Sequence, residues 1–158
     1  MQEIFSLEDV LNVMISLEKN GSEHYLKMEE NSKDLVAKAL FSKLAKQEQI
    51  HQEIYSKMKE QSITFVHSEM EKEYQEYLNS LLEETIRFLQ APLVSFSAET
   101  GFEVAIQLEK DTLLLLAELK HIMKGQVTKE IDDIMDQERG HLKALYQYKS
   151  NFESSGNF

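Results

Sequence analysis

The sequence predicts an all-α protein, and three features of the 158-residue chain support this fold class. Apolar residues recur with a period of about 3.6 almost from end to end. The alternation of β-branched and polar residues that indicates strands is scarce. One proline and five glycines leave few points at which long helices would break. The length predicts a single domain over 1–158, with its core over 6–149 and a frayed polar tail over 150–158.

Each predicted helix has a recognisable beginning or end. The first begins after Ser6, which forms a capping-box pattern with Asp9. The turn NSKD, the stretch SITFVH, Pro92 and Gly125 separate the later helices. The predicted helices cover about 6–29, from NSKD to 61, 68–90, from 97–100 to 124, and 127–149.

Composition excludes several classes of function. The chain has no cysteine, which rules out disulfides, thiol catalysis and cysteine-ligated iron or zinc modules. A formal net charge of −11 argues against nucleic acid and anionic membranes as partners. The most apolar run, 112–119, is far shorter than the roughly 20 residues that span a bilayer. No signal peptide is evident, and we expect a cytoplasmic protein.

Two glutamate–histidine pairs lie on predicted helices with the same spacing. Glu48 and His51 belong to QEQIH, and Glu138 and His141 belong to QERGH. The second pair falls in the middle of an apolar stripe, where a solvated surface pair would not be expected. A single E-x-x-H is usually a solvated surface pair, or contains a histidine whose hydrogen bonds are made within the protein. One pair alone is therefore weak evidence for a metal site.

Two further glutamates, Glu18 and Glu109, interrupt apolar stripes on other helices. An unpaired buried carboxylate costs several kcal/mol, so four acids in one small core need a common partner. Glu18 and Glu48 are 30 residues apart and centred on the first predicted turn. Glu109 and Glu138 are 29 apart and centred beside Gly125. In antiparallel hairpins, residues equidistant from the turn lie at one height, so all four can meet at mid-bundle.

The two halves of the chain resemble each other. LEK at 17–19 recurs at 108–110, and QExxH at 47–51 recurs at 137–141. Two equivalent hairpins would therefore deliver four carboxylates and two imidazoles to one place. This mixed set of oxygen and nitrogen ligands suits iron or manganese. The predicted two-metal ligands are Glu18, Glu48, His51, Glu109, Glu138 and His141.

The ligand pattern resembles that of the ferritin-like di-iron carboxylate proteins, in which two helices give one glutamate each and two give E-x-x-H. LEKNGSEHY at 17–25 and AIQLEKD at 105–111 resemble the first and third helices of the rubrerythrin-like branch. The resemblance covers about 6–149. It implies a ferritin-like four-helix bundle that binds two iron ions per chain, with manganese as an alternative. It also implies reduction of peroxide or O2 coupled to Fe(II) oxidation.

Four departures limit this resemblance. Rubrerythrins append a cysteine-ligated rubredoxin module, which is missing here, so an external electron-donor protein is expected. They also carry an extra glutamate where this chain has Ile106, so their redox-linked metal shift is not expected. Bacterioferritin binds haem through a methionine where this chain has Gln49, so no haem is expected. No helix is predicted after the fourth bundle helix, which favours a homodimer over a cage.

Smaller features near the site leave alternatives open. The Tyr25 hydroxyl either hydrogen-bonds a ligand carboxylate, or passes an electron, or is an ordinary core tyrosine. Tyr55 follows His51 by one turn, and the matching positions in the second half are leucines, so a site polar on one side is expected. Gly140 is predicted to pack against the 68–90 helix or another subunit. The remaining histidines, His24, His67 and His121, lie off these faces and are interpreted as ordinary polar positions.

The segment 68–90 is predicted to be an additional crossover helix between helices 2 and 3. Parallel helices 2 and 3 require the chain to return along the bundle, and 23 residues cover about 35 Å of that path. Exchange onto a second subunit is the competing arrangement. The face predicted to point inward contains Tyr74, Tyr77, Leu81 and Leu82. The face predicted to point outward contains Glu69, Glu73, Glu76 and Glu83.

Three functions are compatible with these observations. The leading one is a rubrerythrin-like di-iron oxidoreductase in oxidative-stress defence. The second is a ferroxidase-type protein that oxidises Fe(II) in order to store or deliver it. The third is a helical bundle without enzymatic activity, whose acids and histidines are incidental. Metal content separates the third from the other two, and particle size separates storage from reduction.

Overall fold

The computed structural model describes residues 5–62, 70–91 and 97–154, which form five α-helices and no strand. This confirms the all-α prediction. None of the five helices combines the length and apolarity needed to cross a membrane. The helices are α1 (Leu7–Asn31), α2 (Leu35–Gln61), α3 (Lys72–Gln90), α4 (Ala98–Met123) and α5 (Thr128–Ser154).

Polar side chains cap the beginnings of the bundle helices as the sequence predicts. Ser6 and Asp9 form the capping box of α1, since the Asp9 amide donates to Ser6 Oγ at 3.2 Å and the Ser6 amide donates to Asp9 Oδ2 at 2.8 Å. Asp34 caps α2 by accepting the Val36 amide at 3.1 Å. Ser97 caps α4 with a second capping box.

The connection between α4 and α5 contains three residues with a left-handed backbone. Lys124 has φ 50°, Gly125 has φ 86° and Val127 has φ 49°. Lys124 is the left-handed cap that ends α4, and Gly125 follows it in the turn, where glycine adopts this region without strain. At its other end α5 continues to Ser154, beyond the predicted end near 149. Residues 150–154 are helical rather than frayed because Phe152 packs against the aromatic cluster at that end of the bundle.

Side-chain contacts establish the directions of the four bundle helices. A three-residue connection makes α1 and α2 an antiparallel hairpin, and α4 and α5 form the second. The hydroxyl of Tyr148, near the end of α5, donates to Asp34 at the beginning of α2 at 2.9 Å. The α1–α2 turn therefore lies at the opposite end of the bundle from the α4–α5 turn. It follows that α2 and α4 run in the same direction.

Helix α3 returns along the bundle and packs against the same chain. Near its start, the Tyr74 hydroxyl donates to Glu118 at 2.5 Å, close to the end of α4. Asn79 Oδ1 accepts the Phe5 amide at 3.3 Å, just before α1 begins. These contacts confirm the additional crossover helix between the second and third bundle helices. The predicted helix 68–90 begins at Lys72, because residues 70–71 are not helical, and residues 68–69 lie outside the described part of the chain.

The buried face of α3 differs in part from the predicted one. Leu82 is buried as expected, and Tyr74 and Leu81 are half-buried. The inward prediction for Tyr77 is wrong, since its side chain is 45% exposed. Tyr77 lies at the rim of the interface, where its hydroxyl donates to Glu118 at 3.1 Å. The fully buried residues of α3 are Leu78, Asn79, Leu82 and Thr85. The predicted outward residues Glu73, Glu76 and Glu83 are exposed, and Glu69 lies outside the described residues.

The hydrophobic core consists of two clusters. The larger includes Leu11, Leu17 and Leu115 and extends under α3. The smaller is rich in aromatic rings, with Tyr25 and Phe41 among its members. Between the clusters lies a layer of buried polar side chains at mid-bundle, where the sequence places the candidate metal ligands.

Candidate metal centre

The structure brings all six predicted ligands together in the interior of the bundle. Helices α1 and α4 contribute one glutamate each, and α2 and α5 contribute one glutamate and one histidine each. None of the six is more than 4% exposed. That they bind metal stays a prediction, but their shared height along the bundle is as expected. The six are Glu18, Glu48, His51, Glu109, Glu138 and His141.

These side chains form two overlapping groups, each able to offer one atom per residue to a common centre. Within each group, the offered nitrogen and oxygen atoms lie within 4.8 Å of one another. Glu48 and Glu138 belong to both groups, as expected for acids that approach each other at the centre. The first group adds Glu18 and His51, and the second adds Glu109 and His141.

Both imidazole rings turn Nδ1 toward the shared carboxylates. His51 Nδ1 lies 2.8 Å from Glu138 Oε1 and 3.2 Å from Glu48 Oε2. His141 Nδ1 lies 2.9 Å from Glu138 Oε2 and 3.4 Å from Glu48 Oε1. The two rings stack with centroids 5.9 Å apart and an interplanar angle of 23°. The centre is therefore close to symmetric about the two shared acids.

Several buried atoms at the centre lack hydrogen bonds from the described residues. They include both carboxylate oxygens of Glu138, Oε1 of Glu18 and Nδ1 of His141. Other side chains approach some of these atoms closely, but the angles of those contacts are not the angles of hydrogen bonds. Buried polar atoms are otherwise nearly always paired. Converging, unsatisfied oxygen and nitrogen lone pairs fit metal ions, and this ligand chemistry suits iron or manganese.

The four acids divide into two kinds by their pKa. Burial, together with the negative charges of Glu48 and Glu138, raises the pKa of Glu18 and of Glu109 well above the usual range. Burial would also raise the pKa of Glu48 and Glu138, but the close contacts with the two histidines outweigh it and lower both. Without metal, the two shared acids are therefore the ionised ones.

The histidines complement those two charges. Burial lowers the pKa of each imidazole, but the contacts with surrounding carboxylates outweigh burial. The pKa of His141 rises to about 12, and that of His51 rises in the same direction. These directions favour protonated imidazoles and protonated outer acids around the two shared carboxylates, an arrangement in which buried opposite charges compensate each other.

A solved structure resembles this chain over nearly its whole length. It is the crystal structure of a proposed ferritin-like diiron-carboxylate protein from Thermotoga maritima, with a TM-score of 0.67. The two sequences are 26% identical, and the alignment covers 95% of this chain and 98% of that one. The chain has a ferritin-like fold. No known family model matches the sequence, and no curated protein matches it.

Two tyrosines flank the centre of this ferritin-like bundle, one beside each outer glutamate. The Tyr25 hydroxyl donates a short hydrogen bond to Glu109 Oε1, which confirms that it reaches a predicted ligand. The Tyr55 hydroxyl is buried beside Glu18, and burial followed by the Glu18 charge raises its pKa. The expectation of a site polar on one side is therefore wrong. Tyr25 crosses to the other hairpin, so each half of the centre has one tyrosine.

Sequence reasoning missed two glutamines that contact the histidines from outside the centre. His51 Nε2 lies 2.7 Å from Gln137 Oε1, and His141 Nε2 lies 2.5 Å from Gln47 Oε1. Each glutamine directly precedes a shared glutamate in the repeated QExxH motif. That repetition was the available signal.

The remaining histidines fall elsewhere in the ferritin-like bundle. The interpretation of His24 as an ordinary polar position is wrong, because it is buried and its Nε2 lies 2.8 Å from the Gly101 carbonyl oxygen. Burial lowers its pKa. His121 is exposed, with its ring against Tyr74. His67 lies outside the described residues.

The two glycines near the site differ in their surroundings. A methyl group at Gly21 would contact the Glu48 side chain at 3.6 Å, so this position lies directly against a shared acid. A methyl group at Gly140 would meet nothing within 4 Å. Packing of Gly140 against the crossover helix is therefore wrong for the described residues, and a contact with another subunit is the alternative that stays open.

Proposed function

We propose that this chain is a rubrerythrin-like, non-haem di-iron oxidoreductase that reduces peroxide or O2 while Fe(II) is oxidised, in defence against oxidative stress. The observation that carries the proposal is the pair of overlapping, fully buried ligand groups that share Glu48 and Glu138. The description of the similar protein from Thermotoga maritima as a diiron-carboxylate protein supports iron as the metal.

Each ion would take one outer glutamate, one histidine and the two shared glutamates. Glu18 and His51 serve the first ion, and Glu109 and His141 serve the second. Four ionised carboxylates balance two divalent ions, so the loaded centre stays neutral in the low-dielectric interior. When bound, the two irons supply the electrons for reduction of the oxidant.

The chain itself controls what surrounds the metals. The two hydrophobic clusters above and below the centre exclude bulk water, which strengthens electrostatic interactions there. The Tyr25 hydroxyl holds its proton against Glu109 Oε1, since burial and the neighbouring acids raise the pKa of its phenol well above the usual range. Tyr25 therefore orients Glu109 as a hydrogen-bond donor.

An electron-donor protein and a second subunit are the expected partners. These 158 residues contain no cysteine, so the proposal takes the electrons from a donor protein outside them. Leu35, Val36 and Ile50 are large exposed apolar residues of α2 that lie within about 100° of one another around the helix axis. This exposed face supports a homodimer that packs through α2. The proposal retains the expectation of a cytoplasmic protein.

Metal analysis and turnover test the proposal together. Protein purified without chelator is analysed for iron and manganese, then reduced and mixed with peroxide or with air-saturated buffer. The proposal predicts two metals per chain, a preference for peroxide or O2 reduction over retention of iron, and a particle of two chains. Manganese in place of iron would retain the site but change the assigned chemistry.

Two other results would contradict the proposal and favour one of the two alternative functions. A large cage that retains many irons per chain would favour the ferroxidase and storage function. No bound metal after anaerobic addition of Fe(II) would leave only a non-enzymatic bundle. The matched control is Glu53→Gln, an exposed position on α2, against Glu48→Gln at the shared acid. Only the second variant should lose metal.

A further inference from the structure

Two hydrogen bonds connect the centre to glutamines on the opposite hairpin. Gln137 on α5 contacts His51 on α2, and Gln47 on α2 contacts His141 on α5. The arrangement is crossed, because each histidine contacts the glutamine that lies four residues before the other histidine. Gln137 is exposed and Gln47 half-buried, so both amides reach from the surface toward the buried rings.

We propose that Gln47 and Gln137 are positioning residues that fix the ring orientation and tautomer of the opposite histidine for metal binding. The proposal rests on the two-metal function above. In both rings Nδ1 faces the shared carboxylates, while Nε2 faces the amide oxygen of a glutamine. An amide oxygen only accepts hydrogen bonds, so it favours a proton on Nε2. Nδ1 is then left to coordinate the metal.

The crossed pairing also ties the two hairpins together at the height of the centre. Both bonds run between α2 and α5, which otherwise supply the shared acids from opposite sides. A ring held at Nε2 by one helix and carried by the other cannot rotate without breaking a bond. The glutamines therefore keep the distance between Glu48 and Glu138 suited to both ions before metal arrives.

The choice of amide over carboxylate follows from the charge of the centre. Outer hydrogen-bond partners of ligating histidines are carboxylates, backbone carbonyls or water. Two further carboxylates would add negative charge next to four acids that already surround the ions. Glutamine gives the same acceptor oxygen with no charge, so the loaded centre stays neutral while both rings remain oriented.

The test uses the full chain, zinc as a diamagnetic probe metal, and four variants. Gln47→Leu and Gln137→Leu remove the acceptor at similar side-chain size, and Gln137→Glu restores an acceptor oxygen. Gln49→Leu is the matched control, because Gln49 is a neighbouring glutamine of α2 whose amide donates to Ser22 Oγ at 3.2 Å. Zinc affinity is measured by chelator competition, and nitrogen NMR of the imidazoles reports which ring atom carries the proton.

We expect the wild type to show the proton on Nε2 of both histidines when zinc is bound. Gln137→Leu should change the Nε2 signal of His51, and Gln47→Leu that of His141. Each should weaken zinc binding about 10–100-fold, the usual effect of losing an outer partner of a metal ligand. Gln137→Glu should restore the His51 signal, and Gln49→Leu should behave as wild type.

Three results would overturn the positioning role. One is a wild-type protein with zinc bound and the proton on Nδ1, a measurement that does not depend on any variant folding. Another is a leucine variant that disturbs the histidine of its own helix instead of the opposite one. The third is unchanged zinc affinity in both leucine variants while wild type binds two ions. If wild type binds no metal, the proposed function fails together with this role.

Discussion

His51 Nδ1 on α2 lies 2.8 Å from Glu138 Oε1 on α5, a contact that joins the two hairpins across the centre. The imidazole and the carboxylate are both fully buried, and this contact supports opposite charges on them in the metal-free protein. With protonated imidazoles and protonated outer acids in the metal-free protein, exchange of those protons for two divalent ions would leave the net charge of the centre unchanged.

Metal binding should release protons and become tighter as pH rises. Binding requires neutral His51 and His141 and ionised Glu18 and Glu109, whereas the raised pKa values of all four keep them protonated without metal at neutral pH. About four protons should leave as two ions bind. Calorimetry in buffers of different ionisation enthalpy measures this number. Release of no protons, or tighter binding at lower pH, would contradict the assigned charges.

Metal should also raise the melting temperature, and more so at pH 8 than at pH 6. Histidines and carboxyls with raised pKa bind more protons folded than unfolded, so the metal-free fold loses stability as pH rises above neutrality. At metal concentrations 100 times Kd, each of the two sites contributes about 2.7 kcal/mol. For a chain of this size each occupied site corresponds to a rise of roughly 5–10 °C. Calorimetric melting with and without Fe(II) under anaerobic conditions measures the difference, and calcium serves as the hard-cation control.

Replacing Glu109 should remove one metal position and leave the other. Glu109→Leu alone would leave the buried Tyr25 hydroxyl without its hydrogen-bond acceptor. The informative variant therefore combines it with Tyr25→Phe. This pair deletes a buried acid and its donor together, and the metal-free melting temperature should be unchanged or higher. Metal analysis should give one ion per chain. Glu103→Leu, at an exposed position of α4, is the control and should bind two. Two ions bound to the double variant would show that Glu109 is not a ligand.

The meeting of the six candidate ligands at one height could be predicted because it depends on distances along single helices. Glu18 and Glu48 interrupt apolar stripes, and their equal separation from a turn fixes their height whatever the side-chain conformations. The burial energy of unpaired acids then requires a common partner. Spacing and burial together therefore predict where the six side chains meet, independently of any contact between helices.

The contacts between helices could not be predicted in this way. The helical pattern places Gln137 on the solvent-facing side of its helix. Its contact with His51 depends on the rotation of each helix about its own axis and on the conformation of the flexible glutamine side chain. The same limit applies to His24, whose partner is a backbone carbonyl at Gly101 that no pattern identifies. The helical pattern places Tyr77 among the apolar residues, yet its side chain lies at the rim of the interface, where its hydroxyl donates to Glu118.

Asn79 should be more important for stability than its polar character suggests. It is 2% exposed on α3, and its Oδ1 accepts the Phe5 amide at 3.3 Å, which connects the crossover helix to the residue before α1. Asn79→Leu would leave that buried donor without its acceptor, at a cost of about 1–3 kcal/mol. The melting temperature should fall by roughly 2–10 °C. Ser80→Ala is the control, because Ser80 is exposed and its hydroxyl donates to the Glu76 carbonyl oxygen one turn earlier in the same helix. Its effect should stay within about 0.5 kcal/mol. Equal melting of the two variants would mean that α3 does not depend on this contact for its position.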